Sequence, residues 1–312
     1  MFYLKKNINK LFIIIVGVIN FFLSGSIFSE ELFKNFKKYK KTDTKFKLEK
    51  ISNGFNYPWG MTFIDKKNLL ITEKSGKLIK VNTQTGTKIE IFHEIKSIPY
   101  SSNLLASQQG GLMDVLYHEG LVYFSYSHNF DEITKKNNNE ASTAIARGEL
   151  IKNKIKNLEI LLIGKPKLKI NKHWGSRLVI KNNQLFASFG ERGQGMIAQD
   201  PTKHPGSIVR INIDGSIPHD NPRYRDKRDW LPEIYVIGVR NPQGMAMSNN
   251  DKIYFSQHGP KGGDNIGLVE YGANFGWKEV AWGGTEYNGF KIGKVPFKKK
   301  FKKPIASWVP SM

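Results

Sequence analysis

The chain has 312 residues, no cysteine, and 48 Lys and Arg against 27 Asp and Glu, a formal charge of +21. That length allows one large domain or two ordinary ones, and the lack of cysteine excludes a disulfide framework, a thiolate zinc site, an iron–sulfur cluster and a cysteine nucleophile. With 39% hydrophobic and 12% aromatic residues a core can form, and 29 Gly and 13 Pro between short apolar runs predict many turns and no long amphipathic helices.

Residues 1–29 begin with Lys5, Lys6 and Lys10, run apolar from Leu11 to Leu23, and leave through Ser24, Gly25, Ser26 and Ser29 before the first acids, Glu30 and Glu31. A basic start, a short apolar stretch and a small-residue exit predict a secretory signal peptide cleaved after Ser29. The run is short for a membrane span, which needs about 20 apolar residues; an uncleaved anchor is the alternative. Residues 30–46 read as a Lys-rich linker, and 47–312 as the folded domain. Export without cysteine fits a bacterial periplasm or secretion, with no stable membrane insertion once the signal is removed. Lysine is spread along the chain rather than gathered on one element with aromatics, so no nucleic-acid partner is expected. Two clusters, Lys34 to Lys50 and Lys291 to Lys303, read as a solvated linker and loop, or as patches adhering to an anionic membrane or polymer.

After residue 50 four segments share one plan of strand, tight polar turn, strand. They are Trp59 to Phe63 with Leu69 to Thr72, Gly111 to Val115 with Leu121 to Ser125, Gly175 to Ile180 with Gln184 to Ser188, and Gly244 to Met247 with Lys252 to Ser256. The turns between them are rich in Asn, Asp and Gly, the residues turn geometry asks for. Glycines at 60, 111, 175 and 244 mark the repeat, and each interval has room for a further strand pair, such as Lys77 to Val81 or Gly206 to Asn212. A period near 50 residues with about four strands predicts an all-β fold, a β-propeller. About four to five blades are counted. The long loops Asp131 to Ala141 and Gly193 to Pro205 are expected to carry specificity. No dinucleotide-binding glycine fingerprint, P-loop, zinc-protease helix, nucleophile elbow or EF-hand loop is present.

Several stretches together resemble one family: Tyr57-Pro-Trp-Gly-Met61, Gln109-Gly-Gly-Leu112, His173-Trp-Gly-Ser-Arg-Leu-Val179, Gly190-Glu-Arg-Gly193, Ala198-Gln-Asp-Pro201, Gly238-Val-Arg-Asn-Pro-Gln-Gly244, His258-Gly-Pro260 with Gly262-Gly-Asp264, and Asn274-Phe-Gly-Trp277. In order and spacing they resemble the soluble pyrroloquinoline-quinone (PQQ) sugar dehydrogenases, the glucose/sorbosone and aldose dehydrogenase family. The resemblance implies a six-bladed propeller with PQQ on its top face, and oxidation of an aldose at C1 to its lactone, with electrons passed to an external acceptor. The match stops at Trp308-Val-Pro-Ser-Met312, where the family continues with further strands, so an incomplete ring is the expectation.

The site residues follow from the resemblance. Removing hydride from a sugar C1 requires a base for the C1 hydroxyl, and an imidazole titrates in the right range. His173, which alone would read as a surface-loop histidine, matches the family base, and Glu191 stands where the family has an orienting Asp. Arg240 matches the residue beside the quinone carbonyl, where positive charge meets developing negative charge. Asn241 matches a donor to the cofactor, and Gln109 a polar residue near the substrate hydroxyls. His258 falls where glucose-type members carry Gln and aldose-type members His. Calcium is implied at the carbonyls of Gly259 and Pro260, with Asp264 beside them, since a hard cation takes oxygen ligands; the usual Glu at the next position is Asn265, which weakens a second calcium site. Two other readings remain: a calcium-dependent lactone hydrolase on a similar propeller, and a non-catalytic exported propeller that binds a glycan or protein.

Overall fold

Residues 47–98, 109–131, 136–169, 171–293, 295 and 297–311 are described by the computed structural model. The signal and linker expected over residues 1–46 lie outside them. Lys50–Met312 forms one unit, built of four antiparallel four-stranded sheets, each a meander in chain order. Blade one holds β1 (Pro58–Phe63), β2 (Asn68–Glu73), β3 (Leu78–Asn82) and β4 (Lys88–Ile91). Blade two holds β5 (Leu112–His118), β6 (Leu121–Asp131), β7 (Lys136–Ile151) and β8 (Lys154–Ile163). Blade three holds β9 (Gly175–Lys181), β10 (Gln184–Phe189), β11 (Ser207–Asn212) and β12 (Ile234–Ile237). Blade four holds β13 (Pro242–Met247), β14 (Ile253–Gln257), β15 (Asp264–Leu268) and β16 (Ala306–Trp308). The four repeats read from the sequence are the first two strands of these four blades, and the architecture is an all-β propeller.

The hairpins form where turn chemistry dictates. Asn182 and Asn183 between β9 and β10 have φ of 50° and 56°, and Glu119 and Gly120 between β5 and β6 have 49° and 86°, the left-handed pair that matches strand twist in a two-residue turn. Between β1 and β2 the Asp65 carboxylate accepts the N–H of Lys67 (2.7 Å) and Asn68 (2.9 Å). Second strands are apolar on both faces because the blades pack face to face. Leu70, Leu78, Val115 and Phe124 fill the space between blades one and two. Ile145, Leu185 and Val209 fill the next gap, and Phe186, Met245 and Phe255 the third. Each such fully buried side chain contributes about 1.5–3 kcal/mol.

The first strands β1, β5, β9 and β13 lie against one another in that order, and a repeated hydroxyl joins them. Thr72 on β2 accepts the Gly60 N–H (3.0 Å) and donates to the Met113 carbonyl of the next blade. Ser125 on β6 accepts the Asp114 N–H (3.0 Å) and donates to the Ser176 carbonyl (2.6 Å). Ser188 on β10 accepts the Arg177 N–H (3.0 Å) and donates to the Pro242 carbonyl (2.9 Å). Gly60 is required here: a Cβ at this position would lie 2.5 Å from Asp114 Oδ1.

Two expectations change. The count of four to five blades narrows to four: the chain leaves β15 at Leu268 and returns as β16, which completes the fourth sheet by pairing Asp264 with Trp308. No strand of a fifth blade occurs among the described residues. The expected loop from Asp131 to Ala141 is largely strand, because β6 and β7 continue pairing as far as Asp131 and Lys136. In the Lys291 to Lys303 cluster, Lys298 and Lys300 pair with Glu279 (2.7 and 3.0 Å), and Lys302 pairs with Glu270. No described helix is long and apolar enough to cross a membrane.

Candidate active site

The meander brings the start of each first strand beside the latter half of the second strand, and the residues just outside these pairings gather at one cavity. The terminal pairs are Pro58 with Glu73, Leu112 with Tyr126, Gly175 with Phe189, and Pro242 with Gln257. Continuing each by one to three residues gives Lys74 from blade one, Gln109 from blade two, His173 and Glu191 from blade three, and Arg240, Asn241 and His258 from blade four. All of these except Glu191 line a cavity of about 540 Å³, within the size range of small-molecule and cofactor sites. Gly259, Pro260 and Asp264 line it as well. Thus the structure brings every residue singled out for the site to one place, with Glu191 directly behind His173.

His173 has φ of 55°, a left-handed conformation unusual for a side chain with a Cβ. The Gln109 side-chain oxygen accepts its N–H at 2.9 Å, and the Gly190 backbone lies so close to its carbonyl that a Cβ at 190 would be 2.1 Å away. The ring Nδ1 is held by Glu191 Oε1, which leaves Nε2 as the nitrogen free to accept a proton. Glu191 is fixed in turn: Oε2 accepts the Gly195 N–H, and its own N–H donates to the Arg240 carbonyl at 2.8 Å. Burial holds the His173 imidazole below its ordinary 6.5, with the charges of Arg240 and Lys172 adding to that and Glu191 opposing it. For Glu191 burial works upward, but the bond and charge of His173, the Gly195 N–H and the Arg240 charge prevail and keep the carboxylate below 4.5. The pair at neutral pH is therefore a neutral imidazole on an ionised carboxylate.

Arg240 is positioned by its backbone and its ring neighbour. Its N–H donates to Gln257 Oε1 (2.7 Å), its Nη1 to the His258 carbonyl (3.3 Å), and its guanidinium lies 5.3 Å from the Trp277 ring. Its buried Nε has no partner among the described residues, a donor held back from the protein's own bonding. Asn241 Oδ1 accepts the Gly175 N–H at 3.0 Å, tying blade four to the loop that bears His173. His258 Nε2 shares a hydrogen bond with Gln243 (2.8 Å). In the 259–264 turn Asp264 accepts the Gly259 N–H at 2.6 Å. Asn265 is committed inward, donating to the Gly263 carbonyl (2.9 Å) and accepting from Gln257 (3.1 Å). No group of three His, Asp or Glu side chains able to hold a metal occurs among the described residues.

Sequence reasoning gave no role to five lining residues, Trp59, Lys74, Gln243, Tyr287 and Ser311. Lys74 packs its ammonium 4.3 Å from the Trp59 ring, and burial lowers its proton affinity. Tyr287 reaches the cavity from the long excursion between β15 and β16, its hydroxyl 3.5 Å from Arg240 Nη2. Trp59 stood within a quoted stretch without a role. The repeat itself could have flagged Lys74, which follows β2 as His258 follows β14; nothing local marks Tyr287.

Residues 55–312 match the family model described as Glucose / Sorbosone dehydrogenase. Over 276 residues the chain is 32% identical to the aldose sugar dehydrogenase YliI of Escherichia coli (strain K12), spanning 85% of this chain and 70% of that one. It is 29% identical over 269 residues to the quinoprotein glucose dehydrogenase B of Acinetobacter calcoaceticus, spanning 78% of this chain and 54% of that one. The crystal structure of the soluble aldose sugar dehydrogenase from Escherichia coli in the apo-form superposes with a TM-score of 0.75 at 31% identity, covering 84% of this chain and 75% of that chain. The chain therefore belongs to the glucose/sorbosone dehydrogenase family.

Proposed function

We propose that this chain oxidises an aldose at C1 to its lactone with PQQ as hydride acceptor, His173 serving as general base. One observation carries the reading: His173, bonded through Nδ1 to the buried Glu191 carboxylate, shares a cavity with the Arg240 guanidinium, whose buried Nε has no partner among the described residues. His173 Nε2 takes the C1 hydroxyl proton. Glu191 fixes the tautomer that leaves Nε2 basic, and stabilises the imidazolium once it forms. Because the imidazole pKa is below 6.5, the base form dominates at neutral pH, and the rate should fall as pH drops through that pKa. When bound, PQQ supplies the two-electron acceptor that protein side chains lack.

The donor set fits such an anionic group. Lys74, Arg240, Asn241 and Tyr287 would hold and orient it, and the unpartnered Arg240 Nε is a further donor. Calcium is proposed at the Gly259 and Pro260 carbonyls with Asp264, an all-oxygen set suited to a hard cation. The chain offers one carboxylate at that turn, so such an ion would rest mainly on main-chain oxygens. A lactone hydrolase would want several carboxylates converging on its metal, and the described residues hold no such group. The basic and apolar N-terminus supports action in the periplasm or outside the cell, with an external acceptor reoxidising the cofactor.

The test adds PQQ and calcium to purified protein and follows quinone absorbance and dye reduction with several aldoses. The wild type should bleach the quinone and reduce dye, and His173→Ala should be slower by about a thousandfold. Equal dye reduction by both proteins would remove the base assignment, and no spectral change with any aldose would remove the dehydrogenase reading.

A further inference from the structure

Arg192 is 2% exposed, and burial pulls its guanidinium down to about 9. A charge is carried into the interior at a cost, and its bonds show what it holds. The guanidinium lies flat on Trp174, 3.3 Å from the ring centroid. Nε donates to the Lys172 carbonyl at 3.1 Å, and Nη1 to the Ala141 carbonyl of blade two at 2.9 Å. The Arg192 backbone N–H donates to the His173 carbonyl at 3.3 Å. One residue thus grips three consecutive positions, 172, 173 and 174, and anchors them to the neighbouring blade. The middle position is the left-handed His173, which a loop would not hold by its own preference.

We propose that Arg192 is a positioning residue that holds the His173 loop so that Nδ1 stays on Glu191 and Nε2 stays on the cavity. This rests on the reading of His173 as base. A guanidinium suits the task because its rigid fork serves two carbonyls in fixed directions while its face stacks on an indole; a lysine ammonium can do neither together.

The experiment uses ¹⁵N-histidine spectra of the full chain, with the His173 signals assigned by His173→Gln, alongside steady-state kinetics with PQQ and an aldose. In the wild type His173 should show a single tautomer protonated at Nδ1, titrating below 6.5. In Arg192→Lys the ring should become a mixture of tautomers, and its midpoint should move away from the wild-type value. Turnover should fall roughly ten- to a hundredfold, as a small misplacement of a catalytic group does, while KM for the sugar changes less than about twofold. Arg192→Gln places no charge in the interior, reaches at most one carbonyl, and should give the same signature if the lysine variant does not fold. A single Nδ1–H tautomer, unchanged midpoint and unchanged turnover in a variant whose only change is a lower Tm would overturn the proposal. Should wild type and variants differ in the spectra while none oxidises sugar, the positioning claim stands and the dehydrogenase reading fails.

Discussion

Asp114 and Glu191 are carboxylates of nearly equal exposure, 2% and 1%, and each is bonded by a basic side chain, yet their surroundings push them in opposite directions. Asp114 sits on β5, among the first strands, and does not line the cavity. Arg177 Nη1 donates to it at 2.7 Å and the Leu178 N–H at 2.8 Å, and Arg177 Nε reaches on to the Gln243 carbonyl at 2.9 Å, so the pair links blades two, three and four. Burial prevails there over Arg177 and the backbone donors, and the carboxyl is pushed up to about 6. Glu191 has the imidazole, the Gly195 N–H and the Arg240 charge around it, and is held below its ordinary range. Depth alone does not decide a carboxylate's state; the supply of donors and positive charge does. The hub uses its carboxylate to join blades. The cavity wall keeps its own ionised, ready to face an imidazolium.

The largest effect expected from breaking this comparison is on stability. Asp114→Ala takes from Arg177 its carboxylate and should cost about 3 kcal/mol, read as a lower denaturation midpoint, with turnover per folded molecule unchanged. A loss of turnover matching that of the His173 variant would merge the two regions into one. The gentler Asp114→Asn tests the protonation claim. A folded-state pKa of about 6, raised above the unfolded 3.8, means that the stability from this group is full below 3.8 and is lost as pH rises through 6. The deficit of Asp114→Asn relative to wild type should therefore be larger at pH 4 than at pH 7.

Glu191→Gln sharpens the other half. The amide keeps the shape, but the imidazolium loses its counter-charge and the tautomer is no longer fixed, so turnover should drop about a hundredfold, equivalent to about 2.7 kcal/mol. Since Glu191 raises the His173 pKa against burial, its removal should move the acid limb of the rate profile to lower pH. The stability slope is opposite to that of Asp114. A depressed carboxylate contributes above its unfolded 4.5 and loses that contribution as pH falls through its folded value, so the Glu191→Gln deficit should grow with rising pH. Deficits with the same slope in both variants would show that the two environments do not differ as described.

What the sequence made legible follows the local physics. The inner hairpins were readable because their turns demand Asn, Asp or Gly. The pairing of His173 with Glu191, 18 positions apart, follows from the β9–β10 register, whose last pair, Gly175 with Phe189, puts the next residues outward side by side. Outer strands were hidden: β4 is Lys88-Ile-Glu-Ile91 with three exposed residues, the charged character that protects a sheet edge but resembles a loop. The polar Lys136 to Asn139 run concealed the continuation of β7 in the same way. β16 pairs with β15 across an excursion of more than 30 residues, for which no turn signal exists. Tyr287 escaped for the same reason. Asp114 and Arg177 were visible as residues inside predicted strands, but a polar pair at the hub declares itself only once the blades are packed.

The smallest expected effect concerns the hydroxyl beneath Asp114. Ser125 is fully buried, and its Oγ satisfies the Asp114 N–H and the Ser176 carbonyl at once. Ser125→Ala would leave both backbone groups without a partner, at about 1–2 kcal/mol. In a unit of this size that lowers Tm by roughly 2–4 °C. Kinetics should not change, because the lost bonds lie on the Asp114 side of the comparison. Ser256 supplies the control. It ends the inner hairpin of blade four as Ser125 does in blade two, but it is exposed, and it makes no bond to another blade among the described residues. Ser256→Ala should then stay within about 0.5 kcal/mol of wild type. If both serines cost the same, the hydroxyl acts within its own hairpin rather than between blades, and the bonds to Met113, Ser176 and Pro242 are incidental. If Ser125→Ala alone is costly, the same residue type at the same repeat position is worth what its neighbouring blade makes of it.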